Sequence, residues 1–349
     1  MKLGKKFLSA LLFAVLLFGA WGTARGENYR EGEVLVVLRG TPPDDGGEVR
    51  AQSRKSRETS AADIAESVAE SLNDTEIAAV HGYMTPESDQ VFALFKSDTK
   101  TTGELIEELK SNPDVLAVSP NHVMRALGDP PGYETGAQWG LDAINARRAW
   151  SWDGKHDDGK ENWGNRKIYV AVFDTGIATD HPGFNENGSS NLEDRGYSKN
   201  FIKYATSTDI ADTYGHGTQV SGIIGGAIDT RALGVSPRVS LITLKVLEKN
   251  EGYTDDLIKA LSYVSQELIR KGVNIKAVNL SLGWEMSGEK PSDLLDSPVY
   301  RAFKELDSLK NAPVIVAAAG NDGYEVGKPR VGKLDAPGSF TGLKNLIIV

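Results

Sequence analysis

From residue 168 onward the chain alternates short, near-continuous apolar runs with stretches of helical period, and this alternation is the strongest constraint on its fold. Apolar runs fall at 168–173, 239–246, 277–282, 313–319 and 346–349, while helix-like stretches begin at His216 and cover 255–270 and 299–309. Strands covered on both faces read as unbroken Val/Ile/Leu runs, and parallel strands need crossover helices between them. The pattern therefore predicts an α/β unit with a doubly wound parallel sheet. The 255–270 stretch is the clearest helix. Leu257, Leu261, Val264 and Leu268 recur on one face, Thr254 is placed to cap it and Gly272 to end it.

A smaller unit precedes this one. A β-like run at 34–38 is followed by a helix at 61–72, strands at 77–80 and 91–95, and a helix at 103–110 carrying Leu105, Ile106 and Leu109 on one face. Asn112-Pro113 stops that helix and 115–118 reads as a last strand. The order β-α-β-β-α-β is that of an α+β, ferredoxin-like domain. A polar stretch with Pro42, Pro43, Gly46 and Gly47, then Arg50, Arg54, Lys55 and Arg57, reads as a solvated loop. The linker Gly128-Asp129-Pro130-Pro131-Gly132 sets the boundaries at 27–127 and 128–349. Residues 1–26 have the layout of a secretory signal: Lys2, Lys5 and Lys6, an apolar run at 7–21, then small Gly22 and Ala24. That run falls short of the ~20 residues a spanning helix needs, so the expectation is a secreted or cell-envelope protein with no stable membrane span once the signal is removed.

Composition excludes several chemistries. With no cysteine there is no disulfide framework, no thiolate metal site and no cysteine nucleophile. A net charge of −9 leaves no electrostatic footprint for nucleic acid.

In an open α/β sheet, function gathers at the carboxyl ends of the strands. The first apolar run ends in Asp174-Thr175-Gly176, and a later helix opens with Gly215-His216-Gly217-Thr218-Gln219-Val220-Ser221-Gly222. The run at 277–282 contains Asn279-Leu280-Ser281-Leu282-Gly283, and that at 313–319 leads into Gly320-Asn321-Asp322-Gly323. Taken singly, Asp-Thr-Gly is turn chemistry, His216 a helix-start residue and Gly-Asn-Asp-Gly a turn. Taken together, an Asp to orient an imidazole, a His to move a proton and an Asn amide to receive a developing oxyanion suit acyl transfer. An aspartic-peptidase reading fails because only one Asp-Thr-Gly occurs. A metal-hydrolase reading through Asp180, His181 and His216 lacks any close His-x-x-x-His spacing.

These motifs, in this order, resemble the subtilisin-like (subtilase) serine peptidases, from about Gln138 to Val349. The resemblance implies Asp174 as the orienting carboxylate, His216 as the base and Asn321 as the oxyanion donor. Ser281, Leu282 and Gly283 would be the strand on which extended substrate pairs, and Gly320 would lie near the pocket for the side chain preceding the scissile bond. Protein or peptide substrates follow, and the 27–127 domain resembles the family's inhibitory propeptide, with cleavage near Leu127-Gly128. No cofactor is required for such chemistry. The family's first calcium site is not expected, because Gly183 stands where its carboxylate falls and 227–234 lacks the usual Asn-rich loop; scattered Asp and Asn leave room for another calcium site. The family's Gly-Thr-Ser nucleophile motif is absent, and Ser339 reads as a loop residue near the cleft rather than as its replacement. The expectation is that the nucleophile lies beyond Val349 in a longer enzyme; the alternative is a non-catalytic pseudo-peptidase that binds peptides or a partner through the same cleft. Asp322 reads either as a carboxylate for basic substrate side chains or as a solvent-facing residue.

Overall fold

The computed structural model describes residues 28–40, 53–83, 88–126, 139–151 and 166–349, the last span apart from 187, 188, 194, 203, 204, 229, 231 and 289. The signal-like leader, most of the polar 42–57 stretch, the 128–132 linker and the Leu127-Gly128 junction lie outside the described residues.

The N-terminal unit runs β1 (Tyr29–Arg39), α1 (Ser53–Glu70), β2 (Glu76–Tyr83), β3 (Gln90–Lys96), α2 (Thr102–Lys110) and β4 (Val115–Ala126). Its strands pair antiparallel in the order β4-β1-β3-β2. A capping box starts α2, with Thr101 Oγ1 accepting the Glu104 N–H and the Glu104 carboxylate accepting the Thr101 N–H. Every residue of β1 from Val34 to Leu38 is buried, because both faces of the sheet are covered. Side chains alternate along a strand. Val34, Val36 and Leu38 accordingly pack with Ala61, Ala65, Leu105 and Leu109 of the unit's own helices. Leu35 and Val37 belong instead to the main core of the second unit.

That second unit contains β5 (Tyr169–Asp174), β6 (Lys199–Asn200), α3 (His216–Gly225), β7 (Ser240–Lys245), β8 (Glu251–Tyr253), α4 (Thr254–Ser262), β9 (Ile275–Leu280), β10 (Leu282–Ser287), α5 (Pro298–Ser308), β11 (Val314–Ala317), β12 (Lys333–Ala336) and β13 (Leu346–Ile348). Six strands form a parallel sheet in the order β13-β11-β9-β5-β7-β6. From β5 the chain lays β7 on one side, then crosses back to lay β9, β11 and β13 on the other. The carboxyl end of β5 is therefore a topological switch point, where such sheets bind ligands.

Three local expectations are corrected. The 277–282 run is not one strand: β9 stops at Leu280, and after Ser281 the chain leaves the parallel sheet as β10, which pairs antiparallel with β12. The 255–270 helix keeps α geometry only to Ser262 and continues as a wider, π-type stretch over Tyr263–Ile269. Thr254 does not cap it. Its hydroxyl accepts the His122 N–H at 3.0 Å, while Asn121 Oδ1 on β4 accepts the Asp255 N–H at 3.2 Å. The helix start is thus capped from the N-terminal unit. Helix α4 packs against β2 and β4, and α5 against β1 and β4, which joins the units across a broad apolar face.

Two imidazoles lie at this junction. Burial pushes His122 down to about 4, aided by Lys333 and opposed by a hydrogen bond with the Asn28 backbone. Burial likewise pushes His81 down to about 4, aided by Lys259 and opposed by Asp255. Both are neutral in the folded chain, whereas a free histidine titrates near ~6.5, so between that pH and about 4 the unfolded chain binds more protons and stability falls with acid. Asp256, pushed up to about 7 by burial and by Asp255, acts in the opposite sense over the same interval. The comparison that isolates one imidazole is therefore His122→Gln. The variant is expected to lose less melting temperature than the parent between pH 7 and pH 4.5; equal losses would refute the assignment.

Candidate active site

β5 delivers Asp174 to the switch point with its side chain fully out of solvent. Asp174 Oδ1 accepts the Thr175 N–H at 2.7 Å and lies 2.7 Å from His216 Nδ1. His216 opens α3 and is only 5% exposed, so this contact is shielded from water and ions. A buried carboxylate on Nδ1 fixes the tautomer in which Nδ1 carries the proton and leaves Nε2 as the acceptor.

The glycines flanking the histidine answer to two different needs, backbone conformation at Gly215 and close approach at Gly217. Gly215 has φ 99°, a left-handed conformation costly for any residue with a Cβ. A Cβ on Gly217 would sit 2.3 Å from the Gly176 carbonyl oxygen and 3.1 Å from Asp174 Cβ. The first turn of α3 therefore lies directly on the Asp-Thr-Gly loop. Thr175 Oγ1 accepts the Gly217 N–H at 2.9 Å and donates to Asp212 Oδ1 at 2.8 Å, and Thr218 Oγ1 donates to Asp212 Oδ2 at 2.6 Å. Asp212 also accepts the backbone N–H groups of Tyr214, Gly215 and Thr218. Burial alone would raise this carboxyl, but the bonds from Thr218, Gly215 and Thr175 prevail and hold it below the usual range. On the other side, buried Lys245 donates to the Thr175 and Ala211 carbonyls, both at 2.9 Å. Asp212 and Lys245 were absent from the sequence-derived site. The available signals were an Asp shortly before a Gly-led helix start and a lysine closing an apolar strand.

The neighbouring edge forms a cleft. Leu282 and Gly283, two of the three residues expected to pair with extended substrate, lie opposite Ala126 and Arg125 of this chain's own β4. Ser281 lies between strands and its Oγ accepts from Asn279 Nδ2 at 3.0 Å. Across the cleft, Glu251, Gly252 and Tyr253 pair antiparallel with Arg125, Met124 and Val123. The end of β4 is therefore an extended segment held between β8 and β10, with Arg125 Nη2 2.9 Å from Glu251 Oε1. Gly320, with φ 100°, and Asn321 are exposed just past β11. Because β11, β9 and β5 are parallel neighbours, they share the edge that carries Asp174. Asp322 is exposed, 3.8 Å from Arg330.

Other expectations settle locally. Ser339 is buried and its Oγ has no hydrogen-bond partner among the described residues, so it does not engage His216. His181 Nδ1 accepts the Gly183 N–H at 3.1 Å, a turn contact. Gly183 is buried, and a Cβ there would lie 2.9 Å from His181 Nδ1 and 3.0 Å from Ala232 Cβ. Among the described residues no three acidic or imidazole side chains converge as a metal site.

A doubly wound parallel sheet with a buried Asp–His pair at its switch point and a cleft beside it is the framework of a subtilisin-like peptidase. The sequence profile of the subtilase family matches residues 165–349, and the chain belongs to that family. An alkaline proteinase of Hapsidospora chrysogena is 30% identical over 226 residues, covering 62% of this chain and 49% of the relative. The subtilisin of a Bacillus species is 27% identical over 267 residues, covering 75% and 54%. The chain thus spans about half the length of these relatives. The crystal structure of the S393A mutant of the epidermin leader peptide processing serine protease of Staphylococcus aureus aligns with a TM-score of 0.56 at 17% identity, over 91% of this chain and 69% of its own, a likeness of fold.

Proposed function

We propose that the chain belongs to the zymogen of a secreted serine endopeptidase, in which residues 27–127 are the inhibitory propeptide and 128–349 the first part of the catalytic domain. The observation that carries this reading is the Asp174–His216 contact beside a cleft in which β4 lies as a substrate would. A pure binding module has no use for a base held in one tautomer. The signal-like leader supports export; among the described residues no helix is long and apolar enough to cross a membrane.

In the reaction, a serine hydroxyl supplied by polypeptide beyond these residues attacks the scissile carbonyl while His216 Nε2 takes its proton. Asp174 holds the imidazole in place and stabilises the imidazolium. The Asn321 amide, with a backbone N–H, donates to the oxyanion, and His216 then returns the proton to the leaving amine. Water repeats the sequence on the acyl-enzyme. The test is expression of the complete polypeptide, expected to hydrolyse peptides until a serine-directed phosphonate stops it. Mass spectrometry should place the mature amino terminus near residue 128; a terminus near Arg25 would overturn the propeptide assignment. Asn321→Ala is expected to lower kcat by roughly 10²–10³, the factor known for loss of the oxyanion amide in subtilisin itself. A drop below about tenfold, with unchanged folding, would remove Asn321 from that role.

A further inference from the structure

Asp174 and His216 lie 42 residues apart in sequence, so their 2.7 Å contact exists only while the end of β5 and the start of α3 are held against each other. The pair does little of this holding itself. Asp174 Oδ1 accepts the Thr175 N–H and faces His216 Nδ1, whereas the buried Oδ2 has no hydrogen-bond partner among the described residues. On the helix side the N-cap is Gly215, which has no side chain to cap with.

The holding falls to Asp212. Its Oδ1 accepts the Thr175 hydroxyl, on the Asp174 loop, at 2.8 Å, while its Oδ2 accepts the N–H and the hydroxyl of Thr218, in the first turn of α3, at 2.9 Å and 2.6 Å. One carboxylate joins the two pieces, an oxygen to each. Oδ1 also accepts the Tyr214 and Gly215 N–H groups at 3.0 Å and 2.8 Å, which fixes the turn leading into His216. Asp212 is anchored in turn. Its own N–H donates to the Ile177 carbonyl at 3.3 Å, and buried Lys245 ties the Thr175 carbonyl to that of Ala211, the residue before it. Hydrogen bonds to an ionised carboxylate are about twice as strong as those between neutral groups. An asparagine cannot replace both oxygens, because its Nδ2 would meet backbone N–H groups donor to donor on one side or the other.

The geometry points to Asp212 as a positioning residue of the reaction: its carboxylate clamps the Asp174 loop to the His216 helix and so sets the contact through which Asp174 holds the imidazole. The proposal rests on the peptidase reading above. In the complete, processed enzyme, Asp212→Asn is expected to lower kcat by roughly 10–100-fold, the scale of loss for a displacement of about 1 Å, with KM within about twofold of the parent. In an Asp174→Asn background the same substitution should add no more than about twofold, because the contact that it sets is already lost. Thr175→Val should lose kcat as Asp212→Asn does, and Thr175→Ser, which keeps the hydroxyl, should retain most of it. Independently of turnover, proton NMR of the complete polypeptide should show the downfield Nδ1–H signal of His216 in the parent, and that signal shifted or broadened in Asp212→Asn with little change in melting temperature. An equal loss of kcat with and without Asp174, or a kcat and a signal unmoved by Asp212→Asn, would overturn the proposal. Should Asp212→Asn fail to fold, the Thr175 pair decides by the same readouts. A parent that hydrolyses no peptide would overturn the peptidase reading, while the Nδ1–H signal would still decide whether Asp212 sets the contact.

Discussion

Replacing His216 with alanine in the complete enzyme is expected to lower kcat by roughly 10⁶-fold, the factor known for the histidine of subtilisin's triad. On the proposed mechanism, the His216 imidazole is the group among the described residues at the switch point placed to accept the nucleophile's proton and return it to the leaving amine. The described structure holds no second imidazole against Asp174 to take its place. Effects of triad members are not additive, so a variant lacking both His216 and Asp174 should be scarcely slower than His216→Ala alone. KM should change little, because it is the end of β4, and not a segment touching the histidine, that pairs with β8 and β10 in the cleft proposed for substrate. Steady-state kinetics checks both statements, with near-unchanged melting as the control for folding. A loss smaller than a hundredfold would mean that another group serves as the base.

Asp174→Asn should cost roughly 10⁴-fold in kcat, and for a different reason. Asp174 is acceptor-only and sits 2.7 Å from His216 Nδ1, so it dictates that Nδ1 carries the proton. An asparagine of the same shape offers an amide N–H at that position. If the amide faces Nδ1, the proton moves to Nε2 and the base faces the nucleophile already protonated. Geometry survives while chemistry stops. NMR of the imidazole nitrogens would report the swapped tautomer; an unchanged tautomer with full loss of rate would sink this account.

The readable parts of the molecule were those written in local pattern. Apolar runs gave β5, β7, β9, β11 and β13 because parallel strands covered on both faces leave little room for polar residues. The Asp174–His216 pairing was legible because Asp174 ends an apolar strand and His216 opens a helix between two glycines. What escaped was non-local. Asn121 lies more than a hundred residues from the helix it caps, so nothing near Asp255 announced it. The start of β10 at Leu282 hid at the end of the 277–282 run, which read as one strand, and its partner β12 lay outside every run that was read. Asp212 and Lys245 resemble ordinary surface residues in sequence, and only folding turns them inward on the Thr175 loop.

The two-sided burial of β1 and β3 has a consequence for how the chain changes over generations. Val34, Val36, Ala93 and Phe95 pack with the propeptide-like unit's own helices, whereas Leu35, Val37, Phe92 and Leu94 belong to the core shared with the peptidase unit. Neighbouring letters of one strand thus answer to different authorities. The first set is free to drift with α1 and α2, while the second is bound to the helices across the junction. Grafting a foreign N-terminal unit onto this peptidase should therefore succeed or fail on its alternate residues, with compatibility readable at 35, 37, 92 and 94.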